Sequence, residues 1–298
     1  MDIFSLVQLA SDRKASDLHL TVDAPLMLRI DGQLEPVQKE ILSAVDIEEM
    51  VKQILSEKQL TLLEQKGDID HATSVHGVGR VRINVFKSQG SYRVALRLLS
   101  NTIPTMEKLD LPLSIQELVI KPRGLILVTG PTGSGKSTTL AAMIDGINQS
   151  RKGHIVTLED PTEYIHTNKK SIINQREIGV DAISFSHGLR SALRQDPDVI
   201  LVGEMRDLDT IQTAVTAAET GHLVLSTLHT LGSAKTIDRI IDVFPPHQQD
   251  QIRIQLATVL EGVISQQLVP IEGGGGRRGV FEVMLGTPAI RNLIREGK

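Results

Sequence analysis

The stretch that most constrains this chain is Gly130-Pro131-Thr132-Gly133-Ser134-Gly135-Lys136-Ser137, followed by Thr138-Thr139-Leu140. It satisfies the phosphate-loop pattern G-x-x-x-x-G-K-[ST] without a mismatch. Gly124–Thr129 before it is an apolar run that reads as a buried strand, and residues 140–147 after it have helical spacing. The residue types follow from the chemistry. Glycines let consecutive backbone N–H groups turn inward as an anion nest, and the N-terminus of the helix adds partial positive charge. Lys136 can then reach the β- and γ-phosphates of a bound nucleotide, and the Ser137 hydroxyl can ligate magnesium. A chance glycine-rich loop is the bland alternative, and strand, loop and helix in the right order argue against it. A nucleoside triphosphate is the expected ligand, with Gly130 to Thr138 around its phosphates.

The strands and helices expected after residue 124 alternate. Strands are expected near 125–129, 154–159, 171–175, 198–203 and 222–228, and helices over 136–149, 184–194, 207–219 and 233–241. That order predicts a mostly parallel sheet with helices on both faces and ligand at the carboxyl ends of its strands. Residues 1–100 read differently. An amphipathic helix precedes an alternating strand from Asp17, Asp31-Gly32 marks a tight hairpin turn, and Ser43 and Ser56 are N-cap candidates for two helical pieces over 46–63. Short alternating runs from Asp68 to Ser100 suggest an antiparallel meander, so a small α+β domain is expected over 1–100. Residues 101–123, with prolines at 104, 112 and 122, read as a linker holding one short helix. The second domain then runs over 124–298. Gly273 to Gly276 reads as a flexible hairpin tip, since no GK[ST] follows it.

Carboxylates and histidines are candidates for the chemistry. Val199–Val202 is a buried strand of the Walker B kind, but Gly203 stands at its end, where an Asp is usual, and Glu204 follows. Glu204 is expected to position water or act as base, with Glu163 as runner-up. Glu159 and Asp160 lie where a second strand runs into a turn at Pro161 and would serve the magnesium shell, although an acidic turn is more often simply solvated. The expected metal ligands are therefore Ser137, Glu159 and Glu204. Of 9 histidines, His222 opens an apolar strand and His229 closes it. Roughly 23 Å of extended chain separates them, so both cannot meet one phosphate; His229, at the carboxyl end, is the better γ-phosphate sensor. Arg80 and Arg82 share one strand face, as do Arg93 and Arg97. They read equally as protection of a solvated edge or as arginine fingers reaching a phosphate on a neighbouring copy.

Composition narrows the partners. A net charge of -4 gives no overall attraction to nucleic acid or anionic membrane, and 2% aromatic residues leave no stacking platform for single strands. Cys 0 excludes disulfides and thiolate zinc sites. Residues 1–6 show no basic-then-apolar pattern, and no run of about 18 apolar residues occurs. A cytosolic protein is expected, reaching membrane only through a partner.

The loop at 130–137, Glu159-Asp160-Pro161-Thr162-Glu163, the run 199–206 and the stretch from Thr220-Gly221-His222 to His229-Thr230 resemble the Walker A, Asp, Walker B and His boxes of secretion and pilus ATPases. Asp17-Leu18-His19 and Ala289–Glu296 extend the likeness over the whole chain, and within the family it is strongest to the motors that retract type IV pili. The resemblance implies a PAS-like N-terminal domain ahead of a RecA-like domain, in a hexameric ring with ATP between subunits. It further implies Glu163 and Glu204 as catalytic acids, His222 and His229 as the His-box pair, and Arg82, Arg97 and Arg239 as arginine fingers. Mg²⁺ accompanies ATP in that picture. The partner would be the inner-membrane platform protein at the pilus base, with no nucleic acid. Thr162 replaces a usually apolar residue, and members of the family continue with further helices beyond the position of Lys298, so those helices are expected to be missing here. A pilus-extension or type II secretion ATPase is the nearest alternative, though many of those carry a four-cysteine zinc module. A DNA-translocating motor is opposed by the acidic balance, and a non-catalytic nucleotide sensor by the full set of acids.

Overall fold

The computed structural model describes residues 2–99, 102–272 and 276–298. The chain divides into two compact units, one comprising 1–102 with 163–165 and the other comprising 103–162 with 166–298.

In the first unit, α1 (Ile3–Asp12), β1 (Asp17–Leu20), β2 (Pro25–Ile30) and β3 (Gln33–Ile41) precede α2 (Ala44–Ile54) and α3 (Glu57–Lys66). Strands β4 (Asp68–Val75), β5 (Gly79–Ser88) and β6 (Ser91–Leu98) follow. The six strands form one sheet in the order β3-β2-β1-β6-β5-β4, antiparallel throughout. Ser43 and Ser56 each build a full capping box, with Asp46 and Gln59 reaching back to the cap N–H. One face of the sheet buries Leu18, Leu28, Val81, Ile83, Val85, Val94 and Leu96 against the apolar faces of α1 and α2. The alternate positions carry the arginines, so Arg82 and Arg97 are direct cross-strand neighbours on the opposite face. Because β5 and β6 are interior strands, the edge-protection reading of these arginines fails.

The second unit contains α4 (Leu113–Leu118), β7 (Gly124–Thr129), α5 (Lys136–Ser150), β8 (His154–Glu159), β9 (Ile172–Glu177), α6 (Phe185–Ala192), β10 (Val199–Val202) and α7 (Leu208–Glu219). After these come β11 (Leu223–Leu228), α8 (Ser233–Asp242), α9 (Pro246–Val259), β12 (Leu260–Pro270), β13 (Arg277–Leu285) and α10 (Pro288–Glu296). Seven strands run in the order β13-β12-β7-β11-β10-β8-β9, parallel except for the β12–β13 pair. Period-two alternation splits the strand residues between two cores. Leu125, Leu127, Ile200, Val202 and Val224 pack against α6, α7, α8 and α9, whereas Ile126, Val128, Leu201, Leu225 and Ile264 pack against α5. Both faces are covered, which is why β7, β10 and β11 are mainly apolar and buried along their whole length.

Two stretches differ from the sequence reading. Residues 103–123, expected to be a linker, fold into the second unit and bury Leu111, Ile115, Leu118 and Val119 in the same core as α5. Helix α9 is not marked by the sequence reading, nor are the strands on either side of the expected hairpin tip; a row of glutamines hides the periodicity of α9, although Ile252, Leu256, Ala257 and Val259 are buried. The glycine tip of that hairpin lies outside the described residues at 273–275.

Candidate nucleotide site

The parallel register sets the site. Strands β7, β11, β10 and β8 end on one rim of the sheet, so the loop after β7 shares that rim with His229, Glu204 and Glu159. The loop runs from Gly130 into the N-terminus of α5. Gly130 has φ 145°, and a Cβ there would stand 2.2 Å from the Gln266 carbonyl oxygen and 2.7 Å from Ser134 Oγ, so only glycine fits. Lys136 is buried, and its Nζ donates to the Gly130 and Pro131 carbonyl oxygens at 2.8 and 3.0 Å, which folds the ammonium back over the loop. Ser134 Oγ is buried and, among the described residues, has no hydrogen-bond partner. A tight glycine cradle, a cation bent over it and a spare hydroxyl fit a polyanionic phosphate chain. Ser137, on the first turn of α5, is placed to offer magnesium its hydroxyl beside such a chain.

One residue that sequence reasoning missed holds the loop in shape. Gln266 of β12 is buried; its Nε2 donates to the Ser134 carbonyl at 2.7 Å, and its Oε1 accepts from Thr139 Oγ1 at 2.8 Å. It therefore ties the loop to the second turn of the helix that follows. No local signal marks it, because its partners lie 127 and 132 residues away in sequence.

Glu204 sits just past β10, largely buried, with Arg206 Nε 2.7 Å and His229 Nε2 3.5 Å from its Oε2. The two sequence candidates Glu204 and His229 are thus brought together, and Arg206 joins them. The turn that carries Glu204 is stitched to β11: Thr227 Oγ1 donates to the Gly203 carbonyl at 2.6 Å, and the Met205 N–H donates to the Thr227 carbonyl at 3.1 Å. Gly203 sits in a tight place: a Cβ there would lie 3.0 Å from the Leu158 carbonyl oxygen and 3.3 Å from the Phe185 ring, so an aspartate at the strand end would press on both.

Other candidates are placed elsewhere. His222 lies at the opposite end of β11, where its carbonyl accepts from the Gly124 N–H at 3.0 Å and its Nδ1 lies 2.9 Å from the Ala217 carbonyl oxygen. The Glu159 carboxylate accepts from Thr157 Oγ1 at 2.6 Å and from Gln175 Nε2 at 3.1 Å, so it turns toward β9, away from the loop. β11 and β10 intervene between β8 and β7, a separation of roughly 14 Å at ordinary strand spacing. The geometry does not bring Glu159 to Ser137. Among the described residues no group of three or more His, Asp or Glu could hold a metal by itself, so magnesium here would depend on Ser137, the phosphates and water. Asp160 directly follows β8, and Glu163 falls within the first unit.

The two finger candidates on the first unit's sheet are each engaged by a carboxylate. Arg82 Nε donates to both Asp70 oxygens at 3.1 and 3.0 Å, and its Nη2 also donates to Asp70. Arg97 gives its Nε to Asp17 Oδ1 at 2.8 Å while its side chain stays 64% exposed. Burial acts to raise the Asp17 pKa, but the Ser16 hydroxyl and Arg97 more than offset it and hold that carboxyl below its usual range. Arg239 is exposed on the last turn of α8.

Fold and loop together define a RecA-like P-loop ATPase domain preceded by an N-terminal α+β domain. Residues 2–272 match the family described as "Type II/IV secretion system protein", and the chain belongs to that family. It is 48% identical over 298 residues to the type IV pilus retraction ATPase PilT of Pseudomonas aeruginosa, covering all of this chain and 86% of that one. Among solved structures, the pilus retraction motor PilT with bound ADP superposes with a TM-score of 0.96 at 51% identity, over 100% of this chain and 87% of that one. The ATPase DotB of Legionella pneumophila superposes with a TM-score of 0.89 at 29% identity, over 99% of this chain and 83% of that one.

Proposed function

We propose that this protein is an ATP-hydrolysing motor that drives retraction of type IV pili. What carries the reading is likeness over the full chain, at about half identity, to a retraction ATPase. The phosphate loop, Glu204 and His229 supply the chemistry on one rim of the sheet.

The Lys136 ammonium and the loop N–H groups neutralise the phosphate oxygens as charge moves onto them in the transition state. Magnesium, when bound with ATP, adds Lewis-acid stabilisation of that charge. Ser137 would hold it. Glu204 orients the attacking water and accepts its proton; Arg206 and His229 both reach its Oε2, which limits the rotamers of the carboxylate before reaction and leaves Oε1 for the water. His229, partly exposed next to that carboxylate, is placed to follow the state of the terminal phosphate. Arg97 acts on a phosphate bound by a neighbouring copy in a homohexameric ring, so hydrolysis is coupled to movement of one copy against the next. Among the described residues no helix is long and apolar enough to cross a membrane. The motor would work at the cytoplasmic face of the inner membrane, engaging it through the platform protein of the pilus.

The direct test has two parts. Purified protein should hydrolyse ATP with magnesium, and Lys136→Ala should lower turnover by at least about 100-fold. Expression in a pilated host lacking its own retraction ATPase should restore twitching. An active ATPase that restores protein secretion or pilus extension instead would replace retraction with the alternative within the family.

A further inference from the structure

The strand register lines up one row of residues across the rim of the second sheet. Leu228 of β11 pairs with Thr129 of β7, Thr129 with Ser265 of β12, and Ser265 with Glu282 of β13. One residue further along, three of these strands carry parts of the site: His229 after β11, Gly130 at the start of the phosphate loop, and Gln266 on β12. Neighbouring residues of a strand point to opposite faces. Val263 belongs to the core beneath α7, α8 and α9, and Ile264 to the core beneath α5. Ser265 therefore faces α8 and Gln266 faces α5.

Gln266 holds the phosphate loop from its own face. On the other face, Ser265 Oγ accepts from the Gly232 N–H at 2.9 Å, and Glu282 Oε1 accepts from the Ser233 N–H at 2.8 Å. These N–H groups open α8, whose N-cap is Gly232 with φ 86°, a residue that has no side chain to serve them. The cap is supplied instead by two other strands. Ser265 is buried and Glu282 is exposed. Within the turn, Thr236 Oγ1 donates to the Gly232 carbonyl at 2.9 Å and lies 2.6 Å from Thr230 Oγ1. Residues 229–232 are thus fixed at one end by β11 and at the other by Ser265. His229, with its Nε2 3.5 Å from Glu204, stands between the two anchors.

We propose that Ser265 is a positioning residue for His229, with Glu282 as its outer partner, and that β12 sets the distance between that histidine and the phosphate loop. The inference rests on the reading of His229 as a sensor of the terminal phosphate. It adds what keeps the sensor in register: two adjacent residues of one strand, each gripping the backbone of a different loop. Loss of the Ser265 contact lets the 229–232 turn drift while Gln266 still holds the phosphate loop in place. Binding of a diphosphate, which needs only the loop, is thereby separated from the response to a third phosphate.

The test measures ATP turnover and the affinities of ADP and of the non-hydrolysable analogue AMP-PNP in native protein, Ser265→Ala, His229→Ala and the double variant. Ser265→Ala should lower kcat about 10-fold or more, as when a reacting group is held slightly out of place, and leave ADP binding within about twofold. It should weaken AMP-PNP about three- to tenfold, the equivalent of one hydrogen bond. On the His229→Ala background the same substitution should weaken AMP-PNP by less than about twofold, because the group it positions is already gone. Full additivity of the two substitutions, parallel losses for ADP and AMP-PNP, or unchanged kcat in folded Ser265→Ala would overturn the proposal. If Ser265→Ala does not fold, the exposed Glu282 decides. Glu282→Ala should lower kcat about threefold with ADP binding kept, and Glu282→Gln, whose amide oxygen still accepts from the Ser233 N–H, should restore most of that loss. Native turnover in Glu282→Ala would then overturn the proposal. Native protein that tells AMP-PNP from ADP no better than His229→Ala does would instead remove the sensor reading itself, and the proposal with it.

Discussion

The two sheets of this protein solve the same problem in opposite ways. The seven-stranded, mostly parallel sheet is covered on both faces, and its central strands are buried at every position and mainly apolar. The six-stranded antiparallel sheet buries one face and spends the other on charge, where Arg29, Asp17, Arg97 and Arg82 stand opposite one another across four strands. Two like charges directly opposite, at Arg82 and Arg97, would disfavour the pairing by themselves. Asp70 and Asp17 offset them, one from each side. The lesson concerns where function can be written. A sheet buried on both sides can carry chemistry only at its rim, in the loops after its strands. A half-exposed sheet can carry it on its face.

That contrast can be broken experimentally, and the widest gap should come from the charged face. Arg97→Ala is expected to lower ATP turnover by roughly 1000-fold, as loss of an arginine finger does, yet to cost only about 1 kcal/mol in stability, since the Arg97 side chain is exposed and the buried Asp17 keeps Ser16 and Arg29 as partners. Denaturation midpoints measured alongside turnover check both halves. A protein that loses stability and activity in proportion would remove the distinction between the two sheets.

The buried sheet should show the reverse pattern. Leu127→Ala, on β7, deletes a fully buried side chain from the core against α7 and α9 and is expected to cost about 2–5 kcal/mol. Folded protein at low temperature should still bind nucleotide, because Leu127 faces away from the loop. Urea titration with a nucleotide-binding assay separates the two effects.

Acid should act on the second unit through His166. Burial pushes its pKa down to about 4. The unfolded chain, at the ordinary value near 6.5, therefore binds a proton that the folded one refuses. Its contribution to stability is complete above about pH 6.5 and is lost as pH falls toward 4, by roughly 3 kcal/mol at about 1.4 kcal/mol per pH unit. His166→Asn should flatten that part of the stability profile between pH 6.5 and 4. A slope left unchanged by the substitution would assign the acid sensitivity to other groups.

The smallest expected change is at a helix start of the first unit. Ser56→Ala removes the cap of α3 and half of its reciprocal box with Gln59, for about 1 kcal/mol. Hydrogen exchange localised to residues 57–60 reads it, with ATP turnover unaffected.

Local chemistry was legible directly. Asp31-Gly32 supplies the two positive φ values, 48° and 87°, of a tight hairpin turn. Ser43 and Ser56 announce their helices because each interaction closes within three residues. The phosphate loop and the alternation of strand and helix after it likewise depend only on neighbours along the chain, so residues alone determined the fold class and the ligand chemistry. Tertiary structure decided what depends on distant partners. It placed Gln266 on the loop, turned Glu159 toward β9, set His229 against Glu204 while leaving His222 at the other end of the strand, and drew 103–123 into the second unit. Each of those outcomes joins groups tens of residues apart or lying on different strands. Sequence spacing carries no record of such distances, because they exist only once strand order and register have been chosen.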